Sequence, residues 1–221
     1  PVTLQLAIMA QVMAILIAVP VGAWSAWRAG GSFDRATGTA SFAIVGLPPF
    51  MLGLILVSVV ALRFEWFPVT GWIRLTEDLG DNLKHAFLPA LTLALTEIAI
   101  YSQLLRADMT ATLNEDFVLA ARSRGLPARH ILMREALRPS SFSLITLAGV
   151  NLGRLIGGTV IIERLFGLPG VGQLIIQAIP QKDFPVLQGS VLILAVAYLL
   201  INMLVDISYN FIDPRVRRAG V

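Results

Sequence analysis

The sequence predicts an all-α membrane protein with five transmembrane helices. Three observations carry that reading. Charged residues make up 14% of the chain and hydrophobic residues 56%, against about 25% charged in a soluble domain. Mean hydropathy is positive. The apolar residues also fall into charge-poor blocks long enough, at about 1.5 Å per residue, to cross a ~30 Å hydrocarbon core. Cysteine is absent, which excludes disulfides, iron–sulfur ligation and thiol chemistry, and the two histidines, His85 and His130, are too far apart to make a metal cluster by themselves.

Taken in order, Pro1 to Trp27 has no charged residue and supplies the first span, about 4–27. It opens without Met and reads as the remainder of a longer protein. Pro20 and Gly22 are candidate kinks, and Trp24 and Trp27 suit an interfacial belt. A short loop with Arg28, Asp34 and Arg35 leads to the second span, about 39–62. Leu47-Pro48-Pro49-Phe50 interrupts this span, so half of it must be broken or re-entrant. Arg63 to His85 reads as an interfacial loop with a turn at Pro68–Gly71. The third span, about 86–108, holds Glu97 as the one ionisable residue between Ala86 and Leu105.

The fourth span, about 139–162, holds one charge, Arg154. Its Gly149, Gly153 and Gly157 repeat every four residues, a close-packing face of the small-xxx-small type. A loop at 163–184 carries the glycine-rich run 167–172, then a short amphipathic helix with Leu174, Ile175, Ala178 and Ile179 on its apolar face. The fifth span, about 185–210, leads to a tail with Asp213-Pro214-Arg215 and two more arginines.

Between the third and fourth spans, residues 111–138 form the longest polar, basic stretch. Asn114 is placed as an N-cap, with Glu115 and Asp116 in the first turn. Phe117, Ala120 and Ala121 recur on one helical face, and Arg122 and Arg124 suit the last turn. Gly125 stands at the C′ position, where a left-handed residue belongs. Pro127 then opens a second helix with Ile131, Leu132 and Leu137, ending before Pro139. A plain loop, a nucleic-acid-binding helix-turn-helix and a docking element for a soluble partner all fit this local pattern. Close flanking spans speak against nucleic acid. Small side chains at Ala120, Ala121 and Gly125 suit close backbone approach by a partner.

Positive charge orients the spans. The loops at 28–35 and 106–138 and the tail hold Arg28, Arg35, Arg106, Arg122, Arg124, Arg129, Arg134, Arg138, Arg215, Arg217 and Arg218. The other side holds Arg63, Arg74, Lys84, Arg164 and Lys182. Eleven against five puts the two-helix loop and the C-terminus in the cytoplasm.

The run Leu119-Ala120-Ala121-x-x-x-Gly125 resembles the "EAA" loop of permease subunits in binding-protein-dependent ABC importers. The motif's first Glu is Leu119 here, and Glu135 stands where the peptide branch usually carries His. Further stretches are similar to the oligopeptide/dipeptide branch: Gly46-Leu47-Pro48-Pro49-Phe50, Phe67-Pro68-Val69-Thr70-Gly71, Glu163 through Gly172, and the ending with Asn202, Asp206, Tyr209 and Asp213-Pro214-Arg215. Together they cover nearly the whole chain in order.

The resemblance implies a type I importer permease fold with its first span and a periplasmic segment ahead of Pro1. It implies an inner-membrane subunit that binds no cofactor itself, with ATP and Mg in two cytosolic ATPase subunits or domains. A second permease, an extracytoplasmic substrate-binding protein and membrane lipid are its other partners, and nucleic acid is not. Phe117, Ala120, Ala121, Arg122, Gly125 and Leu126 are expected to couple to the ATPases. Phe166, Pro169, Gly170 and Gly172 are expected at a periplasmic gate.

Glu97, Asn151 and Arg154 stand at membrane depth, where a charge should face the bundle interior and find a partner. A structural pair, a charged translocation path and separate partners are all open to them. Di- or oligopeptides are the implied cargo, with nickel or an oligosaccharide as alternatives in the family. From another class, a secondary transporter or channel would need more ionisable residues at midplane. No G-x-x-x-x-G-K-[ST], G-x-S-x-G or H-E-x-x-H exists in the chain, so nucleotide and hydrolase chemistry have no visible machinery here.

Overall fold

Apolar sequence in a bilayer must satisfy its own backbone hydrogen bonds, and helices do this within one segment. The computed structural model describes residues 1–64 and 66–212, and every regular element among them is helical. Asp213-Pro214-Arg215, the arginines beyond and the side chains of Asp206 and Tyr209 lie outside the described residues. In order, the elements are α1 (Val2–Trp27), α2 (Ser32–Val45), α3 (Pro49–Leu56) widening into a π-type turn (Val57–Arg63), and α4 (Leu79–Thr112). There follow α5 (Asp116–Ser123), the single turn α6 (Ala128–His130), a second π-type turn (Ile131–Ala136), α7 (Leu137–Leu165), α8 (Val171–Gln181) and α9 (Phe184–Ile212).

Among the described residues, Val2–Trp27, Leu79–Thr112, Ala128–Leu165 and Phe184–Val205 are long and apolar enough to cross a membrane, and a fifth crossing results if the bent pair Ser32–Val45 and Pro49–Arg63 acts as one. The break expected at the double proline is there: Gly46 caps α2 and Pro49 is the first residue of α3. Proline suits a first helical position, because its missing N–H would have had no intrahelical partner.

Two helices differ from the sequence expectation. The third span was expected from Ala86, but α4 starts at Leu79 and has 34 residues, about 51 Å at 1.5 Å per residue. Asp78 caps its first turn, accepting from the Asp81 N–H at 3.0 Å. Polar residues mark where the hydrocarbon ends, not where the helix does. The second helix of the basic loop was expected to stop before Pro139. Instead α6, the π-type turn and α7 form one helical run, Ala128–Leu165. Pro139 leaves the carbonyl four residues back, on Glu135, without its helical donor. Glu135 lies inside the widened turn, where the regular ladder is already interrupted.

Contacts divide the chain into two units. The first comprises residues 1–10, 49–93 and 149–221. Within it, Gly53 of α3 approaches Leu165 and Thr92, and Gly153 of α7 lies against Tyr198 and Asn202 of α9. Gly157 has nothing within 4 Å of where a Cβ would stand, so the expected glycine face of the fourth span makes its close contact at Gly153. The α8 helix packs along α9. The α9 span itself is only 6% buried, against 61% for α4, so most of its apolar surface is left for lipid or another subunit.

The second unit comprises residues 11–48 and 94–148. Its tight crossing is α1 on α4. Ala14, Ala18, Gly22 and Ala26 recur every four residues of α1 and are all buried. A Cβ at Gly22 would stand 2.8 Å from the Ser102 carbonyl oxygen and 3.2 Å from Leu105 Cβ. Polar bonds then fix the elements. Ser25 and Thr37 hydroxyls meet at 2.7 Å between α1 and α2, and the Gln103 amide donates to Ser41 Oγ at 3.3 Å between α4 and α2. Arg106 of α4 forks onto the Asp34 carboxylate of α2, with Nη2–Oδ2 at 2.7 Å and Nε to Oδ1 as the second arm.

Candidate functional site

Two places gather the residues singled out from sequence: the loop between α4 and α7, and the corner between α7 and α8.

In the first, α5 ends in a complete Schellman motif. Gly125 has φ +75°, its N–H donates to the Arg122 carbonyl at 2.9 Å, and the Leu126 N–H donates to Ala121 at 3.3 Å. These are the two bonds that satisfy the last carbonyls of a helix, and they require a left-handed C′ residue. No atom lies within 4 Å of a Cβ built at Gly125, so backbone conformation and not space selects glycine. At the other end the N-cap is Glu115, not Asn114. Asn114 donates instead to the Thr110 carbonyl at 2.9 Å, because its amide can reach back to the end of α4. Pro127 likewise caps the next helix and does not enter it.

The faces of α5 also differ from the expected set. Val118 and Ala121 are buried, while Phe117 is 46% exposed and Leu119 51%. Ala120, Arg122 and Gly125 are exposed. The inner face packs on the widened turn Ile131–Ala136. Ala121 therefore holds α5 onto its own chain, and Phe117, Leu119 and Ala120 are what α5 offers outward. Arg122 and Leu126 line a cavity of about 550 Å³ with Trp27, Thr110, Asn114 and Ile131. His130 Nε2 lies 3.6 Å from Glu135 Oε1 across the widened turn.

In the second place, α7 ends in the same way. Gly167 has φ +63°, and the Leu168 N–H donates to the Glu163 carbonyl at 2.8 Å. Phe166 and Leu168 are buried, Pro169 is exposed, and Gly170 is the N-cap of α8. Glycine has no side chain to cap with. Glu163 supplies one from the preceding helix: its Oε2 accepts from the Gly172 N–H at 2.7 Å and the Gln173 N–H at 3.2 Å. Those are the second and third helical positions, the pair that an N-cap side chain normally serves. A carboxylate there also meets the positive end of the helix dipole.

The other oxygen, Oε1, accepts from the Thr3 hydroxyl of α1 at 2.6 Å, and Thr3 Oγ1 accepts from the Val171 N–H at 3.3 Å. Glu163 has no exposed surface. A Cβ at Gly170 would run into its carboxylate, and one at Gly172 into the backbone of Val160. The glycines are there because the carboxylate and α7 come so close.

Sequence reasoning placed Phe166, Pro169, Gly170 and Gly172 at this corner but missed Glu163 and Thr3. In sequence Glu163 is one more charge at the edge of the loop, seven residues before Gly170. Nothing local marks Thr3, 160 residues away. Of the membrane-depth trio, Glu97 of α4 and Asn151 of α7 are buried, while Arg154 of α7 is exposed in the chain.

Residues 18–218 match the profile of the binding-protein-dependent transport system inner membrane component. The chain is 33% identical over 218 residues to the oligopeptide transport system permease protein AppB of Bacillus subtilis, covering 98% of this chain and 69% of that protein. It is 32% identical over 237 residues to the di/tripeptide transport system permease protein DppB of Pseudomonas aeruginosa, covering 98% and 70%. A crystal structure of an amino acid ABC transporter with histidines superposes with a TM-score of 0.68 at 18% identity, covering 94% of this chain and 89% of that one, which speaks to the fold. The all-helical fold, the proline-broken span and the matched sequence agree: the chain belongs to the family of inner membrane components of binding-protein-dependent transport systems.

Proposed function

We propose that the chain forms half of the translocation path of an ATP-driven importer for di- or oligopeptides. The observation that carries the coupling role is the exposed, glycine-terminated helix α5. A second permease completes the path, and two cytosolic ATPase subunits or domains receive α5. An extracytoplasmic binding protein delivers cargo to the side of the α7–α8 corner. The excess of arginine on the α5 side supports a cytoplasmic loop and C-terminus. ATP and Mg belong to the partners, and this chain binds no cofactor. The peptide cargo is supported by relatives named as peptide permeases at 32–36% identity over nearly the whole chain.

Mechanistically, closure of the ATPases on ATP moves α5, and the spans rock between inward- and outward-facing states as two-state elements. Phe117, Leu119 and Ala120 carry the contact, Arg122 and Leu126 border it, and Gly125 fixes its end. Glu97, Asn151 and Arg154 are assigned to the path or its walls. Phe166, Pro169, Gly170 and Gly172 build the outer gate.

The test separates contact from backbone shape. Phe117→Ala removes exposed area and is expected to abolish ATPase co-purification and peptide uptake while membrane insertion stays normal. Gly125→Asn tolerates positive φ and is expected to keep both, whereas Gly125→Val strains the left-handed position and loses both. Wild-type co-purification in Phe117→Ala and Gly125→Val together would remove α5 as the coupling element.

A further inference from the structure

We propose that Glu163 is the positioning residue of the outer gate: its carboxylate latches α8 to the end of α7 and to the start of α1, so that α8 moves with α7 as one body. This rests on the importer reading above. The family signature around it is a run of glycines and a proline, and the geometry shows what those residues fit around.

Each contact is directional. One carboxylate oxygen serves two backbone donors at the start of α8, Gly172 and Gln173, and the other takes the Thr3 hydroxyl. Thr3 in turn accepts from Val171. So the first three N–H groups of α8 are all satisfied by side chains from two other helices, and none by its own cap residue, Gly170. A helix held this way has its start fixed in position as well as in hydrogen bonding.

Beyond its start, α8 packs along α9 with Ala178 buried, while Leu174 is 50% exposed and Ile179 58%. The latch fixes where α8 starts, and α9 supports its length. Charge-assisted bonds are roughly twice as strong as neutral ones and strongly angle-dependent. The carboxylate is fully buried and cannot exchange these partners for water while α8 stays docked. Gly170 and Gly172 let the carboxylate approach, and Gly167 turns the chain so that α8 starts beside the residue that caps it. Since α7 continues from the coupling loop in one helical run, the latch passes a displacement of its outer end directly to the start of α8.

The chain has no native cysteine, which makes a spin-label measurement direct. Cysteines at exposed Ile161 of α7 and Ile179 of α8 report the distance between the helices in the complete transporter. The same preparations, reconstituted with ATPase and binding protein, give peptide transported per ATP hydrolysed. Glu163→Ala, which removes all three carboxylate bonds, is expected to broaden the distance distribution and to lower transport per ATP by at least about tenfold. Glu163→Gln is expected to rescue both, because its amide oxygen still accepts from Gly172 and Gln173 and its NH2 faces the Thr3 hydroxyl. Thr3→Val, which keeps the branched shape and removes only the hydroxyl, is expected to broaden the distribution part-way.

A narrow distribution and wild-type transport per ATP in Glu163→Ala or, if that variant does not fold, an unchanged distance in Thr3→Val would overturn the latch. So would a Gln variant as damaged as Ala. A wild-type complex with no ATP-driven peptide uptake would refute the importer reading instead, and the distance measurement would still decide the latch.

Discussion

Asp34 and Arg106, 72 residues apart in sequence, should behave as one unit. The Asp34 side chain is 5% exposed and that of Arg106 32%. Two guanidinium bonds reach the carboxylate, and the Gly30 N–H supplies a third at 2.8 Å. Breaking a fully buried pair from one side costs about 3–5 kcal/mol, most of it the uncompensated survivor. Here the survivors differ. Arg106→Gln leaves a buried carboxylate with one backbone donor, and the arginine side of the pair is open enough for water to enter, so about 2–3 kcal/mol is expected.

Asp34→Asn leaves a cation that is already one-third exposed and can rehydrate, and the amide oxygen keeps the Gly30 bond, so about 1–2 kcal/mol is expected. Because both variants lose the same bonds, the double variant should cost less than their sum by about 1–2 kcal/mol. The assay is denaturation of the detergent-solubilised chain in all four forms. Additive losses, or an Asp34→Asn more damaging than Arg106→Gln, would refute the reasoning, since each would mean that the survivor's burial does not set the cost.

Two further contrasts probe helix crossings. Gly22→Ala should destabilise by about 1–2 kcal/mol net, because its Cβ meets the backbone oxygen of Ser102 at 2.8 Å and overpacking outweighs the gain in helix propensity. Gly38→Ala in α2, with nothing within 4 Å, should stabilise by ~0.5–1 kcal/mol on propensity alone, and thermal unfolding of the two side by side checks both signs. On α7, Gly153→Leu should cost about 1–3 kcal/mol against Tyr198 and Asn202, while Gly157→Leu, with open space around it, should be near neutral; equal losses would put the packing face elsewhere.

What the sequence revealed of the fold tracks how local the physics was. The break at Pro48-Pro49 and the left-handed Gly125 are set by backbone sterics within a few residues, and each is where the pattern put it. The expected span from Ala86 and the start of α4 at Leu79 differ because polarity marks the membrane edge, while a capping aspartate marks the helix edge. The stripe Ala14, Ala18, Gly22, Ala26 was readable with the spacing rule applied to α7, but alanines dilute the signal that glycines make obvious. Glu163 reads from sequence as one more loop charge, and only folding brings it to the start of α8. The fork between Asp34 and Arg106 has no local signature.

The small residues of the α5 motif turn out to divide their work. Ala121 is 1% exposed, and any larger side chain there would push α5 away from Val118's own contacts and the widened turn beneath. A tryptophan at this position would therefore undo the loop before it could block a partner, and loss of coupling in such a variant would say nothing about docking. Ala120 stands on the opposite side with Phe117 and Leu119, where small size leaves the neighbouring aromatic free to enter a groove. Two adjacent alanines are thus kept small for different reasons, one by this chain's packing and one by the shape it presents. The helix is locked at its far end by Gly125, which costs no contact to either. A substitution series across 117–121 should accordingly alternate between folding defects at Val118 and Ala121 and coupling defects at Phe117, Leu119 and Ala120, following the helical face and not the order of the motif.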